Sequence, residues 1–319
     1  EPYRRQRQMC IRDRYDTINC IKSVLNYNTY PVKFIVVDNG SPNLNVIEEL
    51  DFFLKETFQN DYAKFDEFSP QHSLILKKAT FLVSKSNDGY AVGNNKGLKL
   101  AYADSSIDKV LILNNDILFI EDFLPELTER LKTLPNAAIV SPLLLKKDKK
   151  EIDYTCARKS VGITEMIYQN ICYTFRKSTN VDLNRCFLYK EPKLLKKQSL
   201  QIDLPSGSCM LFSKKMFEKI GSFDPGTFLY YEEDILCQKI KKEGMVNYIC
   251  PQLRCVHLGA ASTKKVKFSY SSFMKSRESQ RYYVHNFMKP NFIGLMIYEL
   301  TRIIFNFSVW LPLKLKNKI

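Results

Sequence analysis

Three short apolar runs, rich in β-branched residues and each ending in a cluster of Asn, Asp or Gly, constrain this chain more than any other feature. They are KFIVVD (33–38) before NGSPN, TFLVS (80–84) before NDGYAVGNNKG (87–97), and KVLILNND (109–116). Runs of this kind read as buried strands, and the polar clusters as the turns that follow them. Between them the apolar spacing turns helical. Ile18, Ile21, Val24 and Leu25 follow the N-cap types Asp16 and Thr17, and Leu98, Ala101 and Tyr102 follow the second run. Ala138–Ser141 predicts a fourth strand, after a helical stretch that begins near Glu121. Near-continuous apolar strands alternating with helices predict an α/β fold, with a mostly parallel central sheet flanked by helices.

Composition removes several classes. With 319 residues, 45% of them hydrophobic and 26% charged, the chain is neither disordered nor collagen-like. Its nine cysteines contain no CxxC pair, which argues against structural zinc and for a reduced, cytoplasmic protein. The net charge of +14 attracts phosphate-rich partners or anionic membranes. Residues 1–14, EPYRRQRQMCIRDR, read as a foreign or disordered segment, similar to translated sequencing-adapter read-through; without them the charge falls to +11. No signal-peptide core follows.

The regular pattern lapses over 145–200, which is Lys-rich and aperiodic and reads as an insertion or long loop over the sheet. It resumes at SCMLFSKKMFEKIGSF (208–223), strand then helix. YYEEDILCQKIKKEG (230–244) reads as a helix with acids first, lysines last and Gly244 as its stop, the order the helix dipole favours. VNYIC (246–250) and RCVHL (254–258) read as two closing strands.

Ligands of open α/β sheets bind beyond the carboxyl ends of the strands. Three polar clusters fall there: Asp38-Asn39-Gly40-Ser41, Asn87 to Gly97, and Asn114-Asn115-Asp116. Singly each is an ordinary turn; at consecutive strand ends they favour a nucleotide-type pocket, although no GxGxxG follows the first strand. Asp116 ends an apolar run, where it can serve as an oxygen ligand for a divalent cation or cap the next helix. Glu232-Glu233-Asp234 exceeds what helix capping requires, and crowding would raise at least one pKa toward that of a general base. His257, one of three histidines, divides between a structural role and a metal or phosphate contact.

The ordered motifs FIVVDNGS, NDGYAVGNNKGL, LILNND, PSGSCMLFSKKMFEKIGSFDPGTFLYYEEDILCQKIKKEG and VHLGAAS resemble those of the family-2 glycosyltransferases, especially rhamnosyltransferase-like members that build bacterial surface polysaccharides and cell wall. The resemblance spans about 15–290 and implies a GT-A domain, with a nucleotide-sugar half over about 15–145 and an acceptor half over about 200–290. It implies a nucleotide-diphosphate sugar donor, rhamnose among the candidates, a glycan or lipid-linked acceptor, inversion, and Mg2+ or Mn2+. Asp38, with Asn39 and Ser41 beside it, matches the position that contacts the base. Asn87, Gly89, Gly93 and Asn94, with Tyr90, match the loop around the nucleotide sugar, and Gly207 and Ser208 the acceptor-side loop. Asn114-Asn115-Asp116 matches the metal-binding DxD with Asn in place of its first acid, leaving Asp116 as the main carboxylate ligand; His257 matches the histidine near metal and diphosphate. Glu233 takes the catalytic-base position, with Asp234 and Glu232 as neighbours. The family's opening strand has no counterpart, which predicts unpaired strand edges.

Rival classes have less support. A basic nucleic-acid or membrane-surface module rests on charge alone, with no nucleic-acid signature. A two-carboxylate glycoside hydrolase needs a separation that sequence does not give, and a nucleotidyltransferase lacks its Gly-rich triphosphate loop. The tail, 291–319, reads as an amphipathic helix. Phe292, Met296, Leu300, Ile303, Ile304, Phe307 and Leu311 share one face, and Tyr298, Glu299, Thr301, Arg302 and Asn306 lie toward the other. Glu299 and Arg302 argue against a membrane span. The apolar stripe is expected either to pack on its own domain or to lie on an anionic inner leaflet.

Overall fold

A computed structural model describes residues 2–66, 75–175, 195–259 and 269–315, with side chains from Arg14 onward. The part of the expected VHLGAAS motif beyond Gly259, and residues 316–319 of the tail, lie outside the described residues. Helix α1 (Pro2–Tyr27) leads to β1 (Phe34–Asp38), α2 (Leu44–Phe58), β2 (Tyr62–Asp66), β3 (Ala79–Val83) and α3 (Tyr90–Ala103). Then come β4 (Lys109–Leu113), β5 (Ile117–Phe119), α4 (Leu124–Thr133), β6 (Ala137–Leu145), β7 (Ala157–Arg158) and α5 (Ile163–Thr174). The chain continues through β8 (Leu200–Ile202), β9 (Leu204–Pro205), β10 (Cys209–Ser213), α6 (Lys214–Ile220) and α7 (Glu232–Lys242). It ends with β11 (Val246–His257), α8 (Tyr270–Tyr283) and α9 (Phe292–Leu315).

The α/β architecture is the expected one, and its strands form two main sheets. In the first, ordered β1-β3-β2, all pairs are parallel, with Phe34 opposite Ala79 and Asp38 opposite Val83. The second runs β4-β10-β6-β11-β5 with β8 also on β11; β6 and β11 are parallel, the other pairs antiparallel. Strands β1 and β4 belong to different sheets, and each is paired on one side only among the described strands. Packing spans the division: Phe34 touches both the core around Phe119 and Leu143 and the smaller one around Leu54 and Phe81. Lys33 Nζ adds an ion pair at 2.8 Å to the fully buried Asp104.

Strand β6 is buried along nearly its whole length, which is why AAIVSPLLL lacks the alternation of a half-exposed strand. Its Pro142 cannot donate to a ladder, and the β11 register shifts between Cys250 and Arg254 opposite it. The two closing strands expected at 246–250 and 254–258 are therefore one strand with an irregularity. Two further expectations are corrected. Asp16 and Thr17 do not cap a helix, because α1 runs through them. Of the insertion or long loop expected over 145–200, the plain loop is excluded: β7 and α5 lie within the stretch, and β8 starts at its last residue. The seven described cysteines are buried free thiols.

Candidate active site

The loops after β1 and β3 are pressed together by glycines. Gly40 takes φ +74°, and a Cβ on it would sit 2.3 Å from the Ser86 carbonyl carbon. Gly89 takes φ +92° ahead of α3, and a Cβ there would sit 2.3 Å from the Phe228 carbonyl oxygen. Only glycine tolerates both the left-handed backbone and the contact. Asn39 can then donate from Nδ2 to Asn87 Oδ1 at 3.2 Å and to the Gly89 carbonyl at 2.9 Å, while its Oδ1 is buried without a partner among the described residues. Gly93 leaves room for that amide: a Cβ there would lie 2.9 Å from Asn39 Nδ2. Asp38 Oδ1 accepts the Ser41 N–H at 2.9 Å.

A second cluster forms where β4, β11 and the segment after β6 meet. Asp116 Oδ2 lies 3.4 Å from His257 Nε2, and Asp153 Oδ2 lies 2.7 Å from His257 Nδ1. Burial opposes charge on the imidazole, but hydrogen bonds to Asp116 and Asp153 outweigh it and raise its pKa to about 9. Burial also opposes the Asp153 charge; hydrogen bonds from His257 and Thr155 prevail and hold it below the usual carboxylate range. Ser208 Oγ sits 3.5 Å from His257 Nε2 and accepts from Asn114 Nδ2 at 3.3 Å.

The third cluster opens α7. Tyr230 and Tyr231 adopt φ +69° and +71°, a left-handed pair that delivers the acids abruptly to the helix start. Glu232 and Asp234 are turned inward, and Glu232 Oε1 has no partner among the described residues. Burial, reinforced for both by neighbouring acids, pushes Glu232 up to about 7 and Asp234 up to about 6, the latter despite Arg158. Glu233 has donors instead: its Oε1 accepts the Gly207 N–H at 2.9 Å and lies 3.5 Å from Arg158 Nη2. Burial opposes the Arg158 charge, but Glu233 and Asp234 more than offset it. Tyr90 OH donates to the Gly207 carbonyl at 2.7 Å, so the α3 start closes on the same point.

The loop 206–208 therefore joins everything. Gly207 holds Glu233 and Tyr90, and the next residue, Ser208, touches His257 and Asn114. A Cβ on Gly207 would come within 2.8 Å of both Glu233 Oε1 and Tyr90 OH. The structure brings together Asp38, Asn39, Ser41, Asn87, Gly89, Tyr90 and Gly93 on one side, and Asn114, Asp116, Gly207, Ser208, Glu233 and His257 on the other. Two expected residues make further bonds of their own. Asn94 Nδ2 donates back to the Tyr90 carbonyl at 3.0 Å, and Asn115 Nδ2 donates to Thr17 Oγ1 on α1 at 3.2 Å. Sequence reasoning missed Asp153 and Arg158, both inside the aperiodic 145–200 stretch. The local signal at Asp153 was a D-x-T turn, whose Oδ1 accepts the Thr155 N–H at 3.1 Å, and such turns are too common to single out a site. Arg158 had no local signal. A cavity of about 380 Å3 between α1 and α2, lined by Tyr15, Ile18, Phe52 and Phe53, includes none of these residues.

The donor set fits a hard divalent cation. Asp116 Oδ1 is buried with no partner among the described residues, and a Cβ on Gly259 would fall 2.1 Å from Asp116 Oδ2 and 3.1 Å from His257 Nε2. Glycine thus keeps open the space that both side chains face. No cage of three or more His, Cys, Asp or Glu exists among the described residues. That suits Mg2+ or Mn2+, which commonly take one or two protein carboxylates and complete their shell with phosphate and water.

Helix-flanked sheets whose strand-end loops converge on a carboxylate–imidazole pair and an acidic helix start define a GT-A type of protein. The solved structure of GalNAc-T7 with UDP, GalNAc and Mn2+ superposes at TM-score 0.51 and 13% identity, over 75% of this chain and 40% of that one, and shows this fold. The chain belongs to glycosyl transferase family 2, whose model matches residues 14–221. The low-salt glycan biosynthesis hexosyltransferase Agl10 of Haloferax volcanii is 24% identical over 62% of this chain and 57% of its own length. The dTDP-rhamnosyl transferase RfbF of Shigella flexneri is 24% identical over 86% of this chain and 84% of its own. The chain thus spans little more than half of Agl10.

Proposed function

We propose that this protein transfers a sugar from a nucleotide-diphosphate donor to a hydroxyl of a glycan or lipid-linked acceptor, with inversion, in the cytoplasm, as a step of surface-polysaccharide synthesis. The observation that carries the reading is the 206–208 loop, whose adjacent residues hold Glu233 and touch His257. A proton acceptor and a diphosphate-side charge site flanking one loop are what displacement at an anomeric carbon requires. The resemblance to RfbF favours a dTDP-sugar, rhamnose first among them.

In this mechanism Glu233 accepts the proton of the incoming hydroxyl as it attacks. The Gly207 N–H and the Arg158 guanidinium fix the carboxylate while it does so. Asp116 and His257 would hold Mg2+ or Mn2+, which when bound would neutralise charge on the departing diphosphate. Asp153 fixes the His257 ring by taking its Nδ1, so that Nε2 faces Asp116. Asn39, Gly89 and Gly93 shape the floor on which the nucleoside would rest.

The test is nucleoside-diphosphate release from a panel of dTDP-, UDP- and GDP-sugars with Mn2+, with the anomeric configuration of product read by NMR. Glu233→Gln should abolish release and leave donor binding intact. Full activity in that variant removes Glu233 from the mechanism, and release of free sugar from a glycan without nucleotide donor replaces transfer with hydrolysis.

A further inference from the structure

Helix α9 is built inside out. Its polar side faces the protein: Glu299 Oε1 accepts from Arg281 Nε at 2.8 Å and pairs with His285 Nε2 at 2.6 Å, and Glu299 Oε2 pairs with Arg302 Nη2 at 2.7 Å. Asn306 Oδ1 accepts from Arg277 Nε at 3.1 Å, and Arg277 Nη2 donates to Asn170 Oδ1 on α5 at 2.7 Å. The packed apolar residues are few, Tyr298, Phe305 and Val309. The opposite face is apolar and bare: Ile293 is 69% exposed, Met296 57%, Leu300 60%, Ile303 56%, Ile304 46% and Phe307 54%. An apolar stripe was expected either to pack on its own domain or to face a membrane; the structure turns it away from the domain.

We propose that this outward face of α9 docks flat on an anionic lipid bilayer. At 24 residues the helix is about 36 Å long, so the patch is a continuous ridge. Exposed apolar area on this scale marks a docking surface. Charge selects the bilayer over a second copy. Lys289 and Lys314, both exposed, flank the ridge, and from Thr263 onward Lys and Arg number eleven against two Glu. The single acid of α9, Glu299, is turned inward and held near pKa 2; burial opposes its ionisation, but hydrogen bonds from His285, Arg302 and Arg281 prevail. Two such faces would oppose lysine to lysine, whereas lipid phosphates would neutralise them. Lys314 Nζ also sits 4.7 Å over the Trp310 ring, an aromatic–basic pair suited to the headgroup layer. The helix lies on the bilayer and does not cross it, because its Glu299–Arg302 side is committed to the domain.

The docked face connects to the candidate site. Tyr298 OH donates to Gln280 Oε1 at 3.2 Å, and Gln280 Nε2 donates to the OH of Tyr231, the residue before the acid triplet. On the transferase reading, this chain of hydrogen bonds puts the start of the acid triplet one helix layer from the lipid surface. The docking itself does not depend on that reading.

The experiment is sedimentation of the full chain with phosphatidylcholine vesicles, with and without phosphatidylglycerol, beside nucleoside-diphosphate release. Wild type should pellet with phosphatidylglycerol vesicles at low salt. Leu300→Glu with Ile304→Glu should reduce the bound fraction at least tenfold with unchanged donor turnover. Lys289→Glu with Lys314→Glu should remove the preference for phosphatidylglycerol. Wild type that stays in the supernatant overturns the docking, as does a concentration-dependent dimer that Leu300→Glu with Ile304→Glu dissolves. Resistance to alkaline extraction would replace the docked helix with an inserted one. Vesicle binding without turnover on any nucleotide sugar would sink the transferase reading and leave the docking standing.

Discussion

Two acidic neighbourhoods flank the 206–208 loop, and their surroundings make opposite demands. Around His257, carboxylates from separate segments converge on one imidazole, whose pKa rises to about 9. That corner stabilises positive charge. At the start of α7, three consecutive acids share Arg158, and burial pushes two of them up to about 7 and about 6. That corner disfavours negative charge on Glu232 and Asp234, while Glu233 accepts the Gly207 N–H and lies beside Arg158. One side is suited to a cation and the other to taking a proton from a neutral hydroxyl, and the two share one loop. The same residue types do different work because one set gains partners and the other loses solvent.

The contrast breaks most directly at Glu233. Glu233→Gln should lower turnover by about 10^2–10^4-fold, the usual contribution of a general base, with donor affinity retained by equilibrium binding. Loss of binding in step with turnover would make Glu233 a donor-site residue. On the cation side, chelation should stop turnover, and added Mn2+ or Mg2+ should restore it. Gly259→Ala should resist that restoration, because its Cβ would enter the space 2.1 Å from Asp116 Oδ2. Asp153→Asn should raise the Mn2+ concentration for half-maximal turnover by about 10–100-fold, the range for losing a partner that orients a histidine ligand. An unchanged metal requirement would reduce Asp153 to a structural residue.

The smallest effect concerns stability. Glu232 has a folded pKa of about 7 against an ordinary value of 4.5. The fold therefore keeps its proton through that window, and stability falls as pH rises from the lower value to the higher. Glu232→Gln should stabilise the fold clearly at pH 8 and little at pH 5, by about 3.5 kcal/mol at most with one pKa unit worth ~1.4 kcal/mol, read as a higher melting temperature. Equal gains at both pH values would show that packing, not charge, is responsible.

Much of the strand-end architecture was legible because its information is local. FIVVD, TFLV and KVLIL are strands by their own composition, and Gly40 and Gly89 mark the turns that follow, although the contacts that demand glycine there, to Ser86 and Phe228, come from distant segments. Asp116, His257 and the acid triplet stood out because each ends an apolar run or opens a helix. Asn94 and Asn115, singled out by their motif positions, make hydrogen bonds to the Tyr90 carbonyl and to Thr17 that the motif did not announce. Asp153 and Arg158 could not be found, since their importance lies in distant residues: Asp153 stands 104 positions from His257, and Arg158 stands 75 positions from Glu233.

The amino-acid order alone determined the α/β class, the strand-end polar clusters and the two-faced periodicity of 292–315, because these depend on neighbours within a few residues. Tertiary structure alone decided which face of α9 points outward, which acid of the triplet receives donors, and that Asp153 completes the His257 pair. Those outcomes depend on burial and on partners brought from distant segments, and neither quantity is a property of local sequence.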